Sequence, residues 1–457
     1  MGIDIKDELS RFDTFLSEDG NINIVFSGIF GIGKTYFLRK YFENNDKYIP
    51  IYLTPINYIV SSNEDIFEYI KVDILFELIR VGANFKKEEC SFSLATQMYI
   101  LESSNKLLAN LLKMTEKIKF GTDFLEKIIN FKREIEDYKK DISIDEEEDA
   151  IGFLRSYTEQ SGTIFEDNAI TQLIRNLINS LKNSEKEIVL IIDDLDRIDP
   201  EHIFRILNVL SAHDNFYETN EHKFGFDKTI IVCDIYNIRN IYSAKYGIAV
   251  DFNGYIDKFY SKEVYHFDNT KNIIKSVINI LTSIQSNQDI GINNTSNLSY
   301  TPCEEILSSL IKSKALNTRT LLKNLHKTYQ NNRVLKIGNR RCLATNILSI
   351  NILDFIRSMF STFNDMKTAI YKLRESDLII SNKDNFLRVF LALADYPKNH
   401  FHVNNYVAYD IHYTVGNAID FGLIDIDYQK SITEKIKAVD CSDVLRSAFS
   451  NYCDYFA

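Results

Sequence analysis

The sequence predicts an α/β protein: a parallel sheet wound with helices, a large helical insertion, and a helical C-terminal region. Three observations carry this. Short β-branched runs alternate with stretches of helical periodicity over the first 267 residues. Turn formers are scarce: average usage would give about 32 glycines and about 23 prolines, and the chain has 16 and 5. A collagen-like, linker-rich or many-turned sandwich chain is thereby excluded. Finally, 457 residues with 45 % hydrophobic content allow roughly two to four domains, at about 150 residues each, with an ample core.

The elements follow in order. Residues 4–17 set Ile5, Leu9, Phe12 and Leu16 at helical spacing. NINIVFSG (21–28) is a short β-branched run ending in glycine, which predicts a buried strand, and a helix follows over 36–44. YIPIYLTPINY (48–58) reads as a second strand and holds two of the five prolines. From Asn63 to Ser184 the pattern is almost entirely helical, and it includes the charge-dense stretch 132–150, a solvated helix surface and loop. KEIVLIIDD (186–194) is an uninterrupted apolar run ending in carboxylates, the strongest strand signal in the chain. Asp199 and Pro200 then form a helix start. KTIIVCD (228–234) and KEVYHF (262–267) complete the strands, and everything after about Ser276 reads as helical. In DNFLRVFLALADY, Phe386, Phe390 and Ala394 fall at core spacing. The expected division is 1–62 and 185–275 for the sheet domain, 63–184 for the insertion, 276–344 for a lid-like segment, and 345–457 for a helical C-terminal region.

Charge and cysteine content narrow the function classes. With 64 acidic and 53 basic side chains, the formal charge is −11, unlike a general polyanion binder. The six cysteines are scattered without CxxC pairs or zinc spacing, and the first nine residues are charged rather than apolar. A reducing, cytoplasmic setting with free thiols is expected. No run is long and uncharged enough for a membrane span.

Glycine is concentrated in one place. Gly20, Gly28, Gly31 and Gly33 fall within one short stretch, and GIFGIGKT (28–35) fits G-x-x-x-x-G-K-[ST] between a predicted strand and a predicted helix. A triphosphate needs several backbone N–H donors turned into one concave loop, which glycines permit, and a helix N-terminus that favours anions. Lys34 is the candidate for bridging the β- and γ-phosphates, and Thr35 for ligating Mg²⁺. The nucleotide-binding candidates are Gly28, Phe30, Gly31, Ile32, Gly33, Lys34, Thr35 and Tyr36.

The companion motif is IVLIIDDLDR (188–197). A carboxylate at the tip of a buried strand can hold magnesium opposite the phosphate loop, which selects Asp193; its neighbour Asp194 can orient or deprotonate the attacking water. Arg197, beside acids, reads as a structural ion pair ahead of a catalytic finger.

Together these segments resemble the KAP family of P-loop NTPases, within the wider group that includes AAA-like and STAND ATPases. The family loop usually reads G-x-W-G-x-G-K-[ST]; Phe30 stands at the Trp place in a chain without tryptophan. The acidic motif DDLDR is matched in full by Asp193–Arg197, IIVCDIYNI (230–238) and GYIDKFYSKEVYHF (254–267) resemble the segments that follow, and LNTRTLLKNLHKTY (316–329) resembles a later element. The resemblance covers about residues 5 to 330 and implies an ATP- and Mg²⁺-dependent NTPase with the parallel sheet of that fold. Asp234 would stand where relatives carry a polar sensor of the γ-phosphate. Arg319 would take the place of an AAA-type second sensor, with Thr318 where the family has proline. Many members insert two membrane helices; none is visible here. The resemblance further implies a regulatory switch or scaffold, a homo-oligomer or an effector partner, and bacterial anti-phage defence among the roles of relatives.

Two features leave alternatives open. About 160 residues separate Lys34 from Asp193, where a βαβ unit needs about 30, so 63–184 is expected to be mostly insertion, which in ATPases of the resembled group commonly forms a lid or docking surface. The segment 312–341 holds nine Lys and Arg and no acid. It reads as a lid facing nucleotide or, alternatively, as a nucleic-acid contact in a motor or clamp loader-like ATPase. An interaction protein with a structural nucleotide is the third reading.

Overall fold

The apolar runs of the N-terminal half pair into one parallel sheet in the computed structural model. It describes residues 4–55, 66–83, 169–182, 186–213, 224–283, 285–286, 300–323, 328–337, 340–399, 401–402, 404–415, 424–427 and 433–456. The strands are β1 (Asn23–Ser27), β2 (Tyr48–Leu53), β3 (Glu187–Ile192), β4 (Lys228–Cys233) and β5 (Tyr265–His266), in the order β2-β3-β4-β1-β5. Every residue of β1 and β4 is buried, and in β3 all but Glu187. That is why these strands read as continuous apolar runs rather than alternating ones: helices cover both faces. The register pairs Ser27 with Cys233 and Ile192 with Ile231, so β1, β4 and β3 end along one edge.

The helices around this sheet are α1 (Lys6–Leu16), α2 (Lys34–Glu43), α3 (Ile66–Val81), α4 (Ala169–Leu181), α5 (Pro200–His213), α6 (Ile235–Tyr246) and α7 (Phe252–Ile256). Phe12 of α1 is fully buried, with the rings of Phe26, Phe37, Tyr41 and Tyr265 at 4.9–5.6 Å; edge-to-face packing of this kind stabilises beyond area alone. Asp199 starts α5 as expected, accepting the Glu201 N–H at 2.8 Å. Of the predicted insertion, α3 and α4 are described. Ile74, Leu78, Ile174 and Ile178 pack with Ile188, Leu190 and Ile192 of β3 in one core, whereas 132–150 lies outside the described residues.

The chain divides into two units, one of Lys6–Ile29 and Lys34–Phe267, the other of Met1–Ile5, Phe30–Gly33 and Asp268–Ala457. The second is built largely of helices: α8 (Thr270–Ser283), α9 (Tyr300–Lys312), α10 (Thr318–Lys323), α11 (Leu348–Arg357), α12 (Phe363–Lys372), α13 (Lys383–Ala394), α14 (Thr433–Ala438) and α15 (Cys441–Tyr455). Phe386 and Phe390 of α13 are fully buried, as their spacing predicts; burying such a side chain is worth about 1.5–3 kcal/mol.

The helical expectation after Ser276 needs one correction, because strands interrupt it. Residues Gln285–Ser286 pair with Thr328–Tyr329, Val334–Ile337 pairs antiparallel with Arg340–Leu343, and Asn405–Ala408, Ile411–Val415 and Ile424–Ile426 form a three-stranded sheet. The physical reason is clearest at Tyr409 and Asp410. Both take positive φ, 50° and 58°, and close a two-residue hairpin between Ala408 and Ile411. Tyr-Asp lacks the glycine that normally announces such a turn. The five described cysteines are free, and burial pushes the Cys303 thiol up to about 12, which keeps it protonated and inert.

Candidate functional site

The loop after β1 is held at its entry by the end of β4. The Gly28 N–H donates to the Cys233 carbonyl at 3.1 Å, and the Ser27 hydroxyl accepts the Ile235 N–H at 3.1 Å. Gly31 and Gly33 take φ of 78° and 100°, the left-handed region that favours glycine. A Cβ on Gly31 would lie 3.0 Å from the Asn317 Cβ, whereas one on Gly33 would meet nothing within 4 Å. Lys34 opens α2 and is buried, its ammonium donating to the Gly28 carbonyl at 2.7 Å and to that of Ile29 at 3.4 Å. The first turn of α2 carries no acid, so nothing opposes its positive dipole end. Thr35 follows half-buried; Tyr36 and Phe30 are exposed.

The acidic strand end stands along the same edge of the sheet. Asp193 is buried, its N–H bonded to the Leu53 carbonyl at 3.0 Å, and its Oδ1 accepts the Asp194 N–H at 2.9 Å. Asp194 itself adopts φ 55° and ψ 35°, a conformation that aspartate tolerates at a cost of order 1 kcal/mol. The backbone therefore turns at Asp194 before the short 3₁₀ turn Leu195–Arg197. Arg197 pairs with Asp194 Oδ2 at 2.9 Å, the structural ion pair expected from sequence. The Asp194 carboxyl is held above its ordinary range, first by burial and then by the negative charge of Asp193; Arg197 and Lys34 pull the other way. A carboxyl raised in this way is, once ionised, a better proton acceptor.

Strand order places Asp234 between these groups, since β4 lies between β3 and β1. Its side chain accepts the Tyr236 N–H at 3.1 Å and caps α6. Arg319 lies on α10, its guanidinium 5.3 Å from the centre of the Phe30 ring, in the unit that also holds the loop tip. Two positioning residues, Ser27 and Asn317, carry no sequence signal strong enough to single them out, and neither does Tyr52. The buried Tyr52 hydroxyl has no hydrogen-bond partner among the described residues and feels the charges of Arg39 and Asp193. The signal for Ser27 was its place at the last residue of the loop strand.

A family model described as the KAP family P-loop domain matches residues 16–375. The chain belongs to the KAP family. Its central five-stranded parallel sheet is that of a P-loop NTPase, and nucleotide binding and hydrolysis are the activity this membership points to. The match reaches beyond residue 330, where the resemblance read from motifs ends, to include α11 and α12. No curated protein matches the chain. Among the described residues, no helix is long and apolar enough to cross a membrane, and no cluster of three or more metal-binding side chains occurs.

The basic segment is partly committed to internal contacts. Arg333 pairs with Asp354 at 2.8 Å, an acid that also accepts the Tyr452 hydroxyl at 2.6 Å, and Lys312 donates to the Ser376 carbonyl at 2.7 Å.

Proposed function

We propose that this KAP protein is an ATPase that binds ATP with Mg²⁺ and hydrolyses it slowly as a conformational switch or scaffold. The observation that carries the proposal is the pairing of a buried Lys34 at the start of α2 with the Asp193–Asp194 tip of β3, whose second carboxyl is raised. The loop N–H groups from Gly31 to Thr35 and the dipole of α2 hold the phosphates, and Lys34 exchanges its loop carbonyls for β- and γ-phosphate oxygens. Ile32 contributes its backbone to the loop, Tyr36 flanks the nucleotide, and Phe30 acts beside it through its contact with Arg319. The donor set suits magnesium: a hydroxyl from Thr35 and the free carboxylate oxygen of Asp193 are hard oxygen ligands, and Mg²⁺ binds through one or two such groups while keeping its waters. When bound, it would neutralise charge on the phosphates. Asp194 orients the attacking water through Oδ1 and takes its proton, while Arg197 holds Oδ2. Asp234 and Arg319 respond to the γ-phosphate.

The test uses two variants. Lys34→Ala removes charge-assisted bonds worth about 1.5–3 kcal/mol and is expected to weaken ATP binding by about a hundredfold. Asp194→Asn is expected to keep binding and stop hydrolysis. Unchanged turnover in either variant overturns the assignment. Cytoplasmic location, self-association or an effector partner, and anti-phage defence complete the proposal; they rest on family likeness and on the absence of a membrane-crossing helix among the described residues.

A further inference from the structure

We infer that Phe30 is a positioning residue for Arg319, its ring holding the guanidinium over the tip of the phosphate loop; this rests on the ATPase reading above. Four observations converge. The Phe30 ring is 46 % exposed, an unusual place for a large aromatic side chain on a loop of glycines. The Arg319 guanidinium lies 5.3 Å from its centre, inside the range of cation–π attraction. Arg319 makes no ion pair among the described residues, and the first turn of α10 holds no acid that could pair with it. Lastly, the loop tip approaches Asn317 so closely that a Cβ on Gly31 would lie 3.0 Å from the Asn317 Cβ, and Asn317 caps α10 by accepting the Thr320 N–H at 2.8 Å.

The chemistry follows from the shape of the two groups. A guanidinium stacked on a ring keeps its N–H edge free for phosphate oxygens, because the stack uses the face and the hydrogen bonds use the edge. Without the ring, Arg319 is a long, exposed side chain that must be ordered at each turnover. The aromatic face therefore acts on the rate through Arg319, and affects nucleotide affinity little.

The experiment uses the full chain with Phe30→Leu, Phe30→Trp, Arg319→Ala and the Phe30→Leu/Arg319→Ala pair, reading affinity for a fluorescent ATP analogue and steady-state turnover. Phe30→Leu is expected to lower kcat about two- to five-fold, the worth of an exposed cation–π contact, with affinity shifted less than kcat. Phe30→Trp recovers that loss, and the paired variant matches Arg319→Ala alone. Multiplying effects in the pair, or a Trp variant as slow as the Leu variant, overturns the inference. The chain has no tryptophan, so Phe30→Trp also supplies a single tryptophan emission. Arg319→Ala in that background is expected to shift its emission without nucleotide, and unchanged emission overturns the stack. A wild-type chain without ATP turnover overturns the ATPase reading instead, a failure told apart by the emission comparison.

Discussion

Asp194 combines three departures from an ordinary surface carboxylate: left-handed backbone, partial burial beside a second acid, and an ion pair to Arg197. Its raised carboxyl fixes the sign of a pH effect. The charged form is disfavoured in the folded chain, so ionisation at neutral pH works against stability, and that penalty disappears as pH falls below the raised value. Asp194→Asn removes the charge, and asparagine accepts positive φ at least as well. The variant is expected to melt no lower than the parent at pH 7 while hydrolysing ATP at least about a hundredfold more slowly; a clear loss of Tm would contradict this. The parent's acidic rate limb is expected above the ordinary aspartate range. The two loop glycines separate a second pair of effects. Gly31→Ala meets both a left-handed φ and Asn317 at 3.0 Å, whereas Gly33→Ala meets the φ alone. Thermal melts are expected to show the larger loss for Gly31→Ala, by about 1–2 kcal/mol, with nucleotide affinity reduced in both.

Between elements, Glu305 shows how α9 grips the start of α13. Its Oε1 accepts the Ser381 N–H and hydroxyl at 2.7 Å each and the Asn382 N–H at 3.3 Å, while Oε2 is buried without a partner. Burial outweighs these bonds and holds the carboxyl above its ordinary value. Glu305→Gln keeps the accepting oxygen and removes the buried charge. It is expected to raise Tm at pH 7 and to lose that advantage as acid protonates the parent carboxyl. Glu305→Ala strands the N–H groups and is expected to cost about 1–3 kcal/mol at any pH. Nothing in the sequence marked Glu305, because its partner lies about 76 residues away and its signal is burial alone. Local signals fared better. β3, the loop with its flanking elements, and the Asp199 start of α5 were legible because each is decided by adjacent residues. The hairpin at Tyr409–Asp410 was not, since its turn violates the usual glycine preference and tertiary packing chooses it.

Across the whole molecule, charge decides between the switch and the nucleic-acid reading of 312–341. Counterion release needs several free cations presented together. Here Lys312 and Arg333 are bonded within their own unit, Arg319 lies over Phe30, and the net charge of −11 repels a polyanion at long range. Lys314 and Lys323 remain exposed on separate turns, and Lys336 and Arg341 are exposed on paired strands. Replacing Arg333 by alanine is therefore expected to act on stability, by about 1–3 kcal/mol, since Asp354 keeps its hydrogen bonds from Tyr452 and Asn331, and only secondarily on turnover. DNA is expected neither to stimulate ATP hydrolysis nor to bind tightly at about 0.15 M salt. Charge reversal at Arg340 and Arg341 is expected to leave the rate unchanged. Salt-sensitive DNA binding that is lost in the reversal, together with DNA-stimulated turnover, would transfer the chain to the motor reading, because the surplus of acid elsewhere leaves this segment as the place where a backbone of phosphates could dock.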